Sequence, residues 1–398
     1  MFKIQLAQRL AGIKSSPTLA VSAQAKRLKA EGKDVISLGA GEPDFDTPEH
    51  IKEAAIRALR DGFTKYTAVD GIPSLKEAIV EKFRRDNGLD YKPEQVLVSV
   101  GGKQSFFNLA QALLGPGNEV VIPAPYWVSY PDIVLLAGAV PIIVDTTMVN
   151  GFKMTPEQLD TALTYNSRLV VLNSPSNPTG TAYTREELAA LGEVLRRYPH
   201  VMIATDDMYE HIYWGEEPFA NMAMVCPDLY ERTIVLNGVS KAYAMTGWRI
   251  GYAGGPEQLI TGMKKIQSQS TSNPTSIAQV AAEAALRGDQ SCVRAMACAF
   301  HERHDWLIGQ LNAMPGVRCI PSIGTFYTFP SFQAVMDQAS IPNDVELAGH
   351  LLARVGVVMV PGSAFGREGH VRLSFAASRD TLASAIDRIG RFLNNLGA

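Results

Sequence analysis

Between Ser240 and Tyr252 the chain reads Ser-Lys-Ala-Tyr-Ala-Met-Thr-Gly-Trp-Arg-Ile-Gly-Tyr. The apolar run Thr233–Leu236 stands just before it, and Trp248–Ala253 has the pattern of a further strand. A primary amine, Lys241, therefore lies just beyond one strand, and a guanidinium, Arg249, lies at the head of the next. In an open α/β sheet, ligands bind beyond the carboxyl ends of the strands. The reading of this stretch depends on whether the rest of the chain supplies such a sheet.

It does. Val96–Val100 reads as a strand, Gly101-Gly102 breaks it, and Lys103–Leu114 follows with Phe106, Leu109, Ala110 and Leu113 on one helical face. Glu119–Ile122, Val140–Val144, Arg168–Leu172 and Val201–Ala204 are further strands, with a helix near Tyr130–Ala137. Thr155-Pro156 opens one helix, and Thr184 with Glu187 forms a capping box for another that runs through Tyr198. This alternation predicts an α/β fold with a mostly parallel central sheet. After about residue 290 the rhythm changes. A long helix over Val293–Leu311, strands at Thr325–Phe329, Val357–Val360 and Val371–Phe375, and helices at Asp344–Val355 and from Ser378 predict a smaller α+β domain.

Each strand end then carries candidate chemistry: Gly101-Gly102-Lys103, Pro125-Tyr126-Trp127, Asn173–Gly180 (NSPSNPTG), Asp206-Asp207-Met208-Tyr209, and Ser240-Lys241 with Arg249. Singly each has an ordinary reading: a tight turn, a β-turn, a capping carboxylate, a surface lysine. As a set they are specific. Two glycines before a helix expose N–H groups at its positive end, where phosphate binds, and Arg249 adds a bidentate phosphate partner. Tyr126 offers a flat face, Asn177 and Tyr209 donate hydrogen bonds, Asp206 is an anion and Lys241 an amine. A ligand with a phosphate, a basic ring nitrogen, a phenolic oxygen and an aldehyde uses all of them, and pyridoxal 5'-phosphate is that ligand.

NSPSNPTG, the Asp206/Tyr209 pair and SKAYAMTGWRIGY resemble the class I aminotransferases of pyridoxal-phosphate fold type I. GAGEPDFDTP (Gly39–Pro48), KYTAVDGIP (Lys65–Pro73), VGGKQ (Val100–Gln104), APYWVSYP (Ala124–Pro131) and HVRLSFA (His370–Ala376) extend the likeness over nearly the whole chain. In detail it resembles the bacterial-type aspartate aminotransferase subgroup, some members of which also transaminate prephenate. The resemblance implies that Lys241 is the Schiff-base lysine and proton shuttle, that Asp206 pairs with the ring nitrogen, and that Asn177 and Tyr209 bond the ring oxygen. It further implies a phosphate site of Gly101, Gly102, Lys103, Ser240 and Arg249, Tyr126 stacked on the ring, and Tyr66 reaching the phosphate from a neighbouring subunit. Arg372 is expected to clamp the substrate α-carboxylate, with Gly41 and Trp127 also against substrate. A planar guanidinium suits that task because it makes two parallel hydrogen bonds.

The chain departs from the family pattern in places. Gly238 stands where many relatives carry a hydroxyl that touches phosphate, and Ser240 or backbone groups are the expected substitutes. No arginine matches the one that serves the distal carboxylate in enteric-type relatives; the resemblance assigns that role to Lys103. A lysine in the first turn of a helix opposes the dipole, which mildly supports a functional reason for it. Lys14 and Thr18 match an N-terminal segment that closes over substrate and bears on prephenate use.

Composition narrows the classes. The 398 residues carry 37 Lys+Arg against 40 Asp+Glu, a net charge of -3, which leaves no electrostatic footprint for nucleic acid or anionic membrane. The longest apolar run, Ile133–Val144, is too short to span a bilayer. Four cysteines without a CxxC pair argue against a disulfide framework or zinc ribbon, and no metal site is expected. His301-Glu302-Arg303-His304 lacks the metalloprotease spacing and is expected as a solvated helix face. The acid-free stretch Met1–Ala30 has the bias of a transit peptide. Because its later part matches the family, a removable leader is not expected. The expected organisation is 1–47 as a segment joining the small domain, 48–290 as the large cofactor-binding domain and 291–398 as the small domain. The expected activity is a cytoplasmic, homodimeric aminotransferase that passes the amino group of L-aspartate to 2-oxoglutarate. The alternatives are the same scaffold working on prephenate/arogenate or aromatic amino acids, or a lyase. A DNA-binding regulator built on this scaffold is disfavoured, since the segment before Gly39 is too short for its extra domain.

Overall fold

The computed structural model describes residues 4–10, 12–14 and 17–396. Strand β1 (Ile36–Ser37) lies outside the main sheet. The main sheet contains β2 (Val96–Ser99), β3 (Glu119–Ala124), β4 (Val140–Asp145), β5 (Ser167–Asn173), β6 (Met202–Asp206), β7 (Thr233–Gly238) and β8 (Gly251–Gly254), in the order β2-β8-β7-β6-β5-β3-β4. From β7 to β4 the pairing is parallel, and β8 runs antiparallel to both β2 and β7. The residues of β2, β7 and β8 are buried on both faces, which is why they read as unbroken apolar or glycine-rich runs rather than alternating ones. Register sets Asn173 beside Asp206 and Gly238 beside Gly251, so the residues singled out at strand ends meet along one edge.

Helices cover the sheet. α1 (Pro17–Ala30), α2 (Glu49–Arg60) and α3 (Pro73–Lys82) precede it, α4 (Gly102–Leu113) follows β2, and α5 (Ser129–Leu136) follows β3. The capping boxes at Thr155/Gln158 and Thr184/Glu187 are both formed. Three strand expectations change. Trp248 belongs to a 3-10 turn and Arg249 has a left-handed backbone, φ 59°, so β8 begins only at Gly251. Thr325–Phe329 shrinks to β9 (Tyr327–Thr328), preceded by Thr325 at φ 67°. Val357–Val360 divides into β10 (Val357–Val358) and β11 (Val360–Pro361), because the two halves pair with different partners. β10 pairs parallel with β1, whereas β11 joins β12 (Val371–Ser374), which also pairs with β9.

The pairing of β1 with β10 ties the N-terminal segment to the C-terminal part, and Leu38 is buried in one core with Phe300, Val371 and Ile389. The helix Ser291–Asn312 bridges two cores: Val293 packs with α2, α3 and β2 residues, and Met296 onward with the C-terminal set. No helix among the described residues is long and apolar enough to cross a membrane.

Candidate active site

A cleft of about 590 Å3 opens where the strand ends of the main sheet face the loop 39–42, α1 and the strands β9 and β12. Its described lining carries Lys26, Lys29, Lys103, Lys241, Arg249 and Arg372 against only Glu42 and Asp206. Such an excess of cations in a partly desolvated cleft favours anionic ligands.

Lys241 follows β7 in the loop that Gly238 opens. Its Nζ donates to Gly41 O at 2.6 Å. Burial, with the Arg372 charge next in importance, pushes the amine down to about 8, so a sizeable neutral fraction is present near neutral pH. Asp206 ends β6 and lines the same cleft. Burial raises its carboxyl, opposed by a hydrogen bond from the Tyr130 hydroxyl to Oδ2 and a weaker one from Met208 N to Oδ1 at 3.4 Å. Tyr130 is a residue that sequence reading passed over, since it sits in an apolar helix and its partner is 76 residues away. Tyr209 Oη lies 3.2 Å from Tyr327 Oη, and burial holds the Tyr209 phenol well above its ordinary range, so it stays neutral and able to donate. Tyr327, also unanticipated, lines the cleft.

Arg372, on β12, is 2% exposed. Nη1 donates to Asn177 Oδ1 at 2.9 Å and Nη2 to Gly39 O at 2.8 Å, while Nε has no partner. The guanidinium lies over the Tyr327 ring at 4.4 Å and the Phe365 ring at 4.9 Å. No carboxylate pairs with it among the described residues, and burial lowers its pKa. A buried cation held by neutral groups alone is costly unless an anion completes it. The contact with Arg372 also fixes Asn177: its Oδ1 is taken, which leaves Nδ2 as a donor toward the cleft.

At the other end of the cleft, Gly101 (φ 83°) turns the chain from β2 into α4. A Cβ on Gly101 would lie 2.4 Å from Arg249 Nη2, and one on Gly251 would lie 2.3 Å from Gly102 N. Only glycines allow this approach of the Arg249 guanidinium to the first N–H groups of α4. Those N–H groups have no partner within the helix, and with Ser240 and Arg249 they form an anion cradle. Arg249 is held by Thr246 O at 2.8 Å and has no carboxylate partner among the described residues. Gly238 does not line the cleft, and a Cβ there would meet Gly251 Cα and Ile250 O at 3.0 Å, so a larger residue would need β8 to shift by a few tenths of an ångström. Ser240, by contrast, does line it.

Of the remaining expected residues, Gly41, Lys103, Trp127 and Thr18 line the cleft. Tyr126 does not. Its N–H donates to Phe365 O at 3.0 Å, its ring packs on Gly366, and it faces a separate small cavity with Tyr130 and Asn173. Trp127, next in the chain, does line the cleft, with Lys103 Nζ 5.3 Å from its ring centroid. Lys14 lies in an adjoining apolar groove that Lys103 and Arg249 also border. Tyr66 is 93% exposed and does not line the cleft of its own chain.

Two polar clusters lie outside the cleft. Lys82, fully buried, bonds Glu210 and Asn87, and Glu210 also accepts from Asn87 and Asn237. This network anchors the turn that carries Asp206 and Tyr209. Asp86, Glu210 and His211 lie close enough together to offer a metal ion three ligand atoms, but the Lys82 ammonium already neutralises this cluster, bonded to Glu210 and 3.9 Å from Asp86. His304 is buried rather than solvated: Nε2 accepts from Ser322 N at 2.9 Å, because the helix face that was expected to meet water packs on Trp214 and Phe375.

A family model for aminotransferase class I and II matches residues 33–389. The chain is 58% identical to the aspartate/prephenate aminotransferase of Nitrosomonas europaea, over 98% of this chain and all of that one. It is 50% identical to the aspartate aminotransferase of Geobacillus stearothermophilus, over 98% and 99%. Among solved structures it is similar to the aspartate aminotransferase of Rhizobium meliloti, with a TM-score of 0.93, 46% identity and 98% and 99% coverage. The Thermus thermophilus aspartate aminotransferase with maleate gives a TM-score of 0.92 at 44% identity, over 98% and 100%.

Proposed function

The chain belongs to the class I and II aminotransferase family, and on that premise we propose that it transfers the amino group of L-aspartate to 2-oxoglutarate with pyridoxal 5'-phosphate as cofactor. The observation that carries this reading is Arg372: a buried, acid-free guanidinium facing the same cleft as the Lys241 amine and the Asp206 carboxylate. It supplies what an amino acid's α-carboxylate needs, within reach of groups suited to an aldehyde and a pyridine ring. The same division of the chain, with the large part spanning 48–290 and the segment 1–47 joined to 291–398, accompanies the reading.

The residues present fit the cofactor. Gly101, Gly102, Lys103, Ser240 and Arg249 would hold its phosphate, Asn177 Nδ2 and Tyr209 its ring oxygen, Asp206 its ring nitrogen, and Trp127, in place of Tyr126, would lie against the ring. When bound, its protonated ring supplies an electron sink for the pair released at the substrate Cα. The chain does the rest. Arg372 would fix the α-carboxylate in one orientation within the cleft that Lys241 also lines. Lys241, whose amine is pushed down to about 8 by burial, would accept the Cα proton as a tethered base and return it on the other side of the exchange. Asp206 would stand opposite the ring nitrogen, where its carboxylate would favour the protonated ring.

For the distal carboxylate the cleft offers Lys103, whose ammonium is pushed down in pKa by burial and by Arg249. With cofactor saturating, so that any weakened hold on the phosphate drops out, Lys103→Ala is expected to cut kcat/KM for aspartate by about 10- to 100-fold more than for alanine, the loss of one charge-assisted hydrogen bond. An equal loss for both substrates would refute the distal role. A second substrate, prephenate, is favoured by the Nitrosomonas relative's name and by Thr18 and Lys14 beside the cleft.

The deciding experiment mixes holoenzyme with aspartate, glutamate, phenylalanine or arogenate singly and follows both the cofactor absorption band and the 2-oxo acid released. Fast conversion by aspartate and glutamate upholds the reading, and conversion by arogenate adds the prephenate role. If no amino acid converts the cofactor, a lyase or a different amino donor takes the place of this substrate assignment.

The exposure of Tyr66, with Leu59 and Phe63 also exposed nearby, supports a homodimer in which Tyr66 serves the partner's phosphate site. Mixing Tyr66→Phe subunits with Lys241→Ala subunits is then expected to restore activity, because one site of the hybrid has both wild-type groups. An active monomer in sedimentation would contradict the dimer. The free state of all four cysteines accords with a cytoplasmic location.

A further inference from the structure

We propose that Tyr130 is a positioning residue for amino transfer, holding the Asp206 carboxylate from the side away from the cleft and limiting its basicity. The inference rests on the reading of Asp206 as the partner of the cofactor's ring nitrogen.

The Tyr130 ring is 1% exposed and clamped edge-on between Phe106 at 4.8 Å and Trp127 at 5.1 Å. Both neighbours are themselves fixed, Phe106 inside α4 and Trp127 at the start of the turn into α5, so the hydroxyl has one direction available. That direction ends on Asp206 Oδ2. Tyr130 does not line the main cleft; it borders the separate cavity of about 20 Å3, room for about one water. Its hydroxyl therefore meets the ligand site only through Asp206. Burial keeps the phenol neutral at any working pH, so it acts as a donor throughout.

A neutral donor on one carboxylate oxygen has two consequences. It fixes which oxygen and which lone pair of Asp206 face the cleft, a role the longer Met208 contact cannot fill alone. It also draws charge from the carboxylate, so the carboxylate competes less strongly for a proton placed between it and a ring nitrogen. Without the hydroxyl, Asp206 becomes the stronger base and the shared proton moves toward oxygen. The ring then loses positive charge, and its value as an electron sink falls.

The test loads 15N-labelled pyridoxal 5'-phosphate into the parent protein, Tyr130→Phe and Asp206→Asn, and reads the ring-nitrogen chemical shift, the cofactor dissociation constant and kcat with KM for aspartate. Tyr130→Phe keeps the ring between Phe106 and Trp127 and deletes only the donor. Its nitrogen signal is expected to move part of the way toward that of Asp206→Asn, with kcat lowered about 10-fold and KM for aspartate changed by less than about 2-fold. 3-Fluorotyrosine at position 130, a stronger donor of the same shape, is expected to move the signal the other way, and it decides the matter if Tyr130→Phe does not fold. A parent-like nitrogen signal in Tyr130→Phe beside a shifted one in Asp206→Asn overturns the proposal and spares the reading of Asp206. A parent-like signal in Asp206→Asn overturns that reading itself. Loss of thermal stability alone, with the signal unmoved, reduces Tyr130 to a packing residue and likewise overturns the proposal.

Discussion

Lys241→Ala is expected to lower kcat by at least ~10^4-fold, the upper range for removing a positioned proton-transfer group, and to abolish the absorption band of the covalently linked cofactor. Both effects have one source. Lys241 is the amine in the cleft whose charge is destabilised by burial and by Arg372, and Nζ is parked on Gly41 O, a neutral acceptor, rather than on a carboxylate. Lys26 and Lys29 also border the cleft, but both are exposed on α1. In the cofactor-free protein, capture of Lys241 by a simple aldehyde is expected to speed up as pH rises through about 8 and to level off above it, because only the unprotonated amine attacks. Mass spectrometry of the reduced adduct gives the residue. Retained turnover in Lys241→Ala, or a flat capture profile from pH 6 to 10, would remove Lys241 from the chemistry.

The variant also separates binding from reaction. Arg249, Ser240 and the N-terminus of α4 are untouched by the substitution, so cofactor should still bind through its phosphate, more weakly. A small amine such as methylamine is expected to restore part of the activity, since it supplies a base that the cleft can admit while the tether is lost.

What could be read in advance follows from where the information lies along the chain. The residues at strand ends, such as Asn177, Asp206 and Lys241, were legible because a short apolar run, a turn residue and a functional side chain occur together within a few positions. Arg249 borders the cleft as expected, but with a left-handed backbone instead of a strand's, and its guanidinium is held by Thr246 O and by the space that the glycine at 101, far off in sequence, leaves open. Tyr126 and Trp127 are equivalent as a pattern, and only the packing of Tyr126 on Gly366 turns it from the cleft that Trp127 lines. Tyr130 and Tyr327 carried no local signal at all. Each is an apolar-looking position whose hydroxyl finds its partner across more than seventy residues. Division of Val357–Val360 between two sheets is likewise a matter of which strands arrive beside it, not of its own composition.

Arg372→Ala is the second large expected effect, and unlike the change at Lys103 it should not discriminate among substrates. Every amino acid has an α-carboxylate, so kcat/KM is expected to fall for aspartate, alanine and any aromatic substrate alike. Leaving a buried charge partner unmatched costs about 3–5 kcal/mol, roughly 10^2- to 10^4-fold. Arg372→Lys is expected to recover only part of this. An ammonium keeps the charge, but it cannot hold Gly39 O and Asn177 Oδ1 and also present a planar pair of donors. The secondary consequence falls on Asn177, whose Oδ1 loses its donor and whose amide can then flip, withdrawing Nδ2 from the ring oxygen. Adding Asn177→Ala to Arg372→Ala should therefore cost less than it does in the parent, and a double-mutant cycle measures that difference. Strict additivity would mean that the two side chains act independently despite their 2.9 Å contact. Loss confined to dicarboxylic substrates would mean that Arg372 reads the distal group, and Arg372 and Lys103 would then exchange roles.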